Sequence, residues 1–126
     1  KWILMNKATF SVHNKVELIR NGHDFIEINI ELIKKAQTRI MLHTYIFEDD
    51  EVTNYIIEEL TIAATRGIDV YLIVDAIGSS ELSRSCISKL KFAGVRISLY
   101  KPVYSLKGIA HRLHQKILLI DMSDCL

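Results

Sequence analysis

The chain has 126 residues, 49% of them hydrophobic and 25% charged, and a formal net charge of +1. That length and balance fit one globular domain and exclude collagen-like and disordered classes, while two cysteines, Cys86 and Cys125, are too few for a disulfide framework and make a reducing compartment the default. The longest apolar runs are strand-sized, well short of the ~18 residues of a membrane span, and no secretory signal is expected, although Trp2-Ile3-Leu4-Met5 after Lys1 has the character of the end of something removed.

A first strand is predicted from Val12 to Ile19, ended by the turn dipeptide Asn21-Gly22. A helix follows from about Asp24 to Gln37, where Phe25, Ile28, Leu32, Ile33 and Ala36 recur at helical spacing. Ile40 to Phe47, rich in β-branched and aromatic residues, reads as a strand. The acidic cluster Glu48-Asp49-Asp50-Glu51 then opens a second helix, with Asp49 or Asp50 as its cap. That helix is expected to turn Val52, Tyr55, Ile56, Leu60, Ala63 and Ala64 inward and to stop at Gly67. Ile68 to Val74 reads as a buried strand, Glu81 to Ala93 as a third helix closed by Gly94, and Val95 to Tyr100 as another strand. Ile117 to Ile120, apolar on both faces, belongs inside a sheet and not at its edge. The order β-α-β-α-β-α-β-β predicts one α/β domain over residues 1–126, a layered sandwich with a largely parallel or mixed sheet and helices on both faces.

The near-zero net charge conceals an asymmetry. Residues 101–116 carry Lys101, Lys107, Arg112 and Lys116 with no acid, a local +4 that leaves −3 on the remainder. A positive segment of this kind suits an anion such as phosphate, and a solvated loop that lacks acids accounts for it equally well. Within it, His114 and Lys116 stand two residues apart, so an extended backbone projects them to the same side, while Asp121 has the opposite parity. A neutral imidazole can attack phosphorus, and a neighbouring ammonium can hold the non-bridging oxygens. Arg112 extends the cationic face, and His111 either lines the phosphate site or is a solvated neighbour. By itself a His–Lys pair at this spacing is also what a strand entrance with solvent-facing polar residues looks like.

Taken together, these landmarks are similar to the phospholipase D superfamily, in its bacterial cardiolipin synthase-like branch, from about Asn14 to Asp121. The resemblance rests on Asn14-Lys15-Val16 through Asn21-Gly22, on Ala36 through Ile40-Met41-Leu42, and on Thr44-Tyr45-Ile46-Phe47-Glu48-Asp49-Asp50. It continues through Arg66-Gly67-Ile68-Asp69-Val70, Asp75-Ala76-Ile77-Gly78-Ser79 and Ala93-Gly94-Val95 to the H-x-K-x4-D signature of His114, Lys116 and Asp121. It implies that His114 is the nucleophile or the acid/base histidine, that Lys116 binds the phosphoryl group together with Arg112 and His111, and that Asp121 supports the motif without touching substrate. It also implies a covalent phosphohistidine with no metal and no cofactor, and an anionic phospholipid substrate, phosphatidylglycerol. The full-length protein is then expected at the bacterial cytoplasmic membrane surface, the fragment being soluble. A family site needs two such motifs, one histidine attacking while the other protonates the leaving alcohol.

Only one H-x-K-x4-D is present here, Met122 follows Asp121 where glycine is more usual, Thr53 stands where many relatives have glycine, and His43 where relatives often carry Glu or Gln. The chain therefore reads as the N-terminal half of a two-motif enzyme, truncated after its first motif. It is expected to be inactive alone unless a second half in cis or a second copy in a homodimer completes it. Two other readings compete. A single-motif dimeric phosphodiesterase or nuclease would grip a nucleic-acid backbone with the basic stretch, although a net charge of +1 argues against extensive nucleic-acid binding. A non-enzymatic receiver-like or interaction domain would use Glu48, Asp49, Asp50 and Asp75 around Mg²⁺, against the simpler reading of the first three as a helix cap. His43 reads as a satisfied polar group of the core, and neither cysteine has ligand partners at zinc spacing.

Overall fold

The computed structural model describes residues 12, 14–48, 50–100 and 114–126. The elements run α1 (Gly22–Lys35), β1 (Arg39–Thr44), α2 (Glu51–Thr65), β2 (Asp69–Asp75), α3 (Arg84–Phe92), β3 (Arg96–Tyr100), β4 (Ile117–Ile120) and β5 (Asp124–Cys125). The strands form one mixed sheet in the order β3-β2-β1-β4-β5. β1, β2 and β3 are parallel neighbours, and β4 and β5 are antiparallel additions. β4 lies inside the sheet, as its two-sided apolarity predicted.

Each helix starts where a short polar side chain accepts a first-turn N–H. Asn21 accepts from Asp24 at 2.9 Å, Asp50 from Thr53 at 2.7 Å and Ser83 from Cys86 at 3.2 Å. Gly67 and Gly94 follow α2 and α3 with φ of +90° and +98°, a conformation that costs glycine little. The third helix is shorter than Glu81–Ala93 because Ser83, not Glu81, supplies its cap.

The core is a single cluster. Ile33 from α1, Ile57 and Leu60 from α2 and Leu90 from α3 pack on Ile40, Leu42, Val70, Leu72, Val74, Leu118 and Ile120, all of one parity along their strands. Residues of the opposite parity, such as Met41, His43, Tyr71, Ile73 and Leu119, are only half-buried. The expected layered α/β domain with a mixed sheet is what forms, but helices were expected on both faces, whereas those of the described residues occupy one. Both crossovers, β1-α2-β2 and β2-α3-β3, step the same way across the sheet, and a constant right hand keeps their helices on one side.

Two expectations need correction. Asn14–Arg20 form no strand, and Val16 and Leu18 are exposed, because alternation gives a strand only where a neighbouring strand pairs with it. On α2 the inward stripe is Thr53, Ile57, Leu60 and Ala63, with Val52 and Tyr55 exposed, because the helix packs against both the sheet and α1. Tyr55 instead accepts a hydrogen bond from Lys34 of α1 at 3.3 Å.

The β4–β5 turn explains one departure noted in the sequence. Asp121 and Met122 have φ of +51° and +62°, and Ser123 N–H donates to the Ile120 carbonyl at 2.9 Å, the φ pattern of a type I′ turn. Met122 is exposed, so its left-handed backbone is strained with no packing in return. Met122→Gly should raise unfolding stability by up to about 1 kcal/mol, the relief of the strain being offset in part by the freedom glycine gains when unfolded. Urea denaturation checks it, and a loss of stability would contradict the strain.

Candidate active site

His114 and Lys116 sit just before β4, beside the C-terminal end of β1, and both are exposed. β4 is held there by pairing with β1, where His43 lies opposite Ile117 and Leu42 opposite Leu118. The ring of Tyr45, one residue past β1, meets the His114 imidazole edge-on with centroids 4.7 Å apart. Lys116 lines a groove of about 330 Å³ between the first turns of α1 and α2 and the starts of β4. Neither imidazole nor ammonium is buried in the core, which leaves both accessible to a soluble or interfacial anion. His111 and Arg112, expected to join them, lie outside the described residues.

Tyr45 is the neighbour that sequence reading missed, and the β2–α3 loop fixes it. Asp75, fully buried, accepts the N–H groups of Ile77 and Gly78 at 2.9 and 3.1 Å and so folds the loop tightly. Ser79 Oγ donates to the Tyr45 carbonyl at 3.1 Å. A Cβ on Gly78 would lie 2.3 Å from that same carbonyl oxygen, so glycine is required here for close approach. Asp50 and Asp75, proposed as Mg²⁺ ligands in the receiver-like reading, thus each bind backbone N–H groups, Asp50 at the start of α2. Glu48 is exposed, and Asp49 lies outside the described residues. His43 is half-buried and lines the groove instead of sitting in the core.

Asp121 stands at the opposite end of β4 from His114. Its carboxylate accepts the backbone N–H groups of Gln37, Thr38 and Arg39 at 2.9, 2.8 and 2.9 Å, and the Thr38 hydroxyl at 2.9 Å. It clamps the α1–β1 corner to the end of β4 and fixes the register of the strand that carries the motif. The N–H donors, Arg39 first, then Thr38 and Gln37, hold its carboxyl well below the usual carboxylate range, burial opposing them. A depressed folded pKa stabilises the fold above the unfolded value of about 3.9, and that contribution is lost as pH falls below about 5 and on through the folded value. Asp121→Asn should therefore be less stable at neutral pH and lose stability less steeply on acidification. Denaturation midpoints measured from pH 7 down to pH 3 check it, and parallel acid limbs would contradict the clamp.

The family model described as cardiolipin synthase, PLD-like domain matches residues 29–125. Cardiolipin synthase B of Escherichia coli K12 is 34% identical over 119 residues, covering 91% of this chain and 29% of that protein. Cardiolipin synthase of Clostridium perfringens strain 13 is 36% identical over 126 residues, covering 94% and 26%. The chain thus spans less than a third of the length of these curated relatives. Among solved structures, NucT from Helicobacter pylori is similar with a TM-score of 0.61 and 25% identity, over 79% of this chain and 61% of that one. Nuc from Salmonella typhimurium, a phospholipase D family member, shares the fold with a TM-score of 0.55 and 21% identity, over 75% and 56%.

Proposed function

The chain belongs to the cardiolipin synthase, phospholipase D-like domain family, and from that premise we propose that it forms one half of a phosphatidyltransferase site, with His114 as nucleophile or acid/base and Lys116 as phosphate ligand. In the transfer, one imidazole attacks the phosphorus of a phosphatidylglycerol, and the bond to its glycerol head group breaks as a second imidazole protonates the departing alkoxide. The hydroxyl of another phosphatidylglycerol then gives its proton back to that second imidazole and displaces the first. The products are diphosphatidylglycerol and free glycerol; water in place of the second lipid gives phosphatidic acid. Lys116, with Arg112 and His111, holds the charge that builds on the non-bridging oxygens. The second imidazole comes from a further motif in the full-length protein or from a second copy of this chain, and the reaction takes place at a membrane surface. Among the described residues no helix is long and apolar enough to cross a membrane.

The observation that carries this reading is an exposed imidazole and ammonium at the mouth of one strand, with the aspartate of the same motif tying down that strand's far end. The test is to incubate the full-length protein with phosphatidylglycerol vesicles and follow diphosphatidylglycerol and glycerol by mass spectrometry. Stoichiometric appearance of both supports it, and no turnover of phosphatidylglycerol at all contradicts it. A second reading, a single-motif phosphodiesterase in which two copies meet motif to motif, is favoured by the similar solved chains, of which this chain covers more than half. Hydrolysis of a nucleic-acid phosphodiester with phosphatidylglycerol untouched would select it.

A further inference from the structure

We infer that the groove beside Lys116 is an acyl-chain subsite that takes the hydrocarbon end of the lipid whose phosphate is held at His114 and Lys116, an assignment that rests on the function proposed above. Three stretches of the chain build it: the first turns of α1, the end of β1 and the linker that runs into the first turns of α2, and the start of β4. Its floor is apolar, formed by Leu42, Phe47 and Leu118. Its rim carries Phe25, Ile46 and Val52, which are 36%, 50% and 40% exposed, three large hydrophobic side chains gathered around one opening.

Three polar side chains in its wall are bonded within the protein. Asn29 Nδ2 donates to the Phe25 carbonyl at 2.7 Å, Thr44 Oγ1 to the Ile46 carbonyl at 3.0 Å, and Asp50 accepts from Thr53 N–H at 2.7 Å. These three groups do not call for a polar occupant. Lys116 differs from these three. It lines the groove, it is exposed, and no ion pair or hydrogen bond holds it among the described residues. An apolar channel that opens at an exposed cation fits an amphiphile with an anionic end, and among such molecules a phospholipid places its phosphate where His114 also stands.

Monomeric phosphatidylglycerols with acyl chains of four to eight carbons test this by calorimetric binding, below the concentrations at which they form micelles. With the full-length protein, Kd should fall by up to about fourfold for each methylene that enters the groove. Phe25→Ser/Val52→Ser, both at exposed positions, should flatten that dependence, and thermal unfolding confirms that the double variant is folded. Equal chain-length dependence in the variant and the parent, or none in the parent, overturns the subsite. Loss of vesicle binding in the variant with the monomer dependence intact also overturns it, since the rim would then only touch the membrane. His114→Ala separates the two claims: it leaves the chain-length dependence of binding in place, and unchanged turnover in that variant would defeat the catalytic reading while the subsite stands.

Discussion

Alanine in place of His114 should lower phosphatidylglycerol turnover by the full-length protein about 10³-fold, within the range of 10²–10⁴ that a positioned acid/base group contributes. The side chain is exposed and lies outside the core, so the thermal midpoint should not move. Lys116→Ala should also lower turnover, by about 10²-fold or more, because a cation that meets charge developing in the transition state acts mainly on kcat. Its arginine variant should recover part of the loss. A His114→Ala protein that keeps parental rates would remove the imidazole from the chemistry. Equal losses in stability and rate would instead mean that the residue holds the strand and not the phosphate.

Gly78→Ala should cost about 2–3 kcal/mol of folding stability, the upper part of the roughly 1–3 kcal/mol range for forcing a methyl group into a filled site. The methyl would stand 2.3 Å from the Tyr45 carbonyl oxygen and 2.9 Å from two atoms of its ring. A backbone oxygen cannot swing aside as a flexible side-chain tip can, so either β1's end or the β2–α3 loop must shift. Ser79 and the Asp75-bound loop oppose that movement through the hydrogen bonds at 3.1 Å and at 2.9 and 3.1 Å. The displaced Tyr45 carries its ring away from His114, so turnover should fall with stability. Ser79→Ala removes only one of these bonds and should cost about 1 kcal/mol. Urea denaturation of the two variants side by side checks the ranking, and a Gly78→Ala protein as stable as its parent would show that the close approach does not exist.

Much of the architecture was legible because helix ends carry their own chemistry. Asn21, Asp50 and Ser83 each present a side-chain acceptor to a first-turn N–H, and Gly67 and Gly94 mark the exits. Pairing is less local. Val16 and Leu18 alternate as a strand would, yet a β pattern is stabilised only by the neighbour it meets, and none of the described strands pairs with them. The tilt of α2 is likewise set by α1 and the sheet together, which is why Val52 and Tyr55 turn outward although their spacing suits a core stripe.

The site divides in the same way. Parity along an extended chain was enough to put His114 and Lys116 together as candidates and to set Asp121 apart from them. The resemblance implied that Asp121 supports the motif, but how it does so was not visible, because its partners Gln37, Thr38 and Arg39 lie more than eighty residues earlier. Tyr45 was readable only as part of a strand-to-helix corner; its contact with His114 depends on how β4 docks on β1. The glycine missing at Met122 was noticed as a departure, and the left-handed φ of that residue supplies the physical reason glycine suits it.

The most direct measurement is a crystal structure of the full-length protein with orthovanadate, a stand-in for phosphorus in the transition state. The vanadate should sit with its vanadium bonded to the His114 imidazole or its oxygens within hydrogen-bond reach of it, with Lys116 Nζ on an equatorial oxygen and Asp121 still on the α1–β1 backbone. Vanadate bound elsewhere at saturating concentration, with His114 and Lys116 untouched, would contradict it.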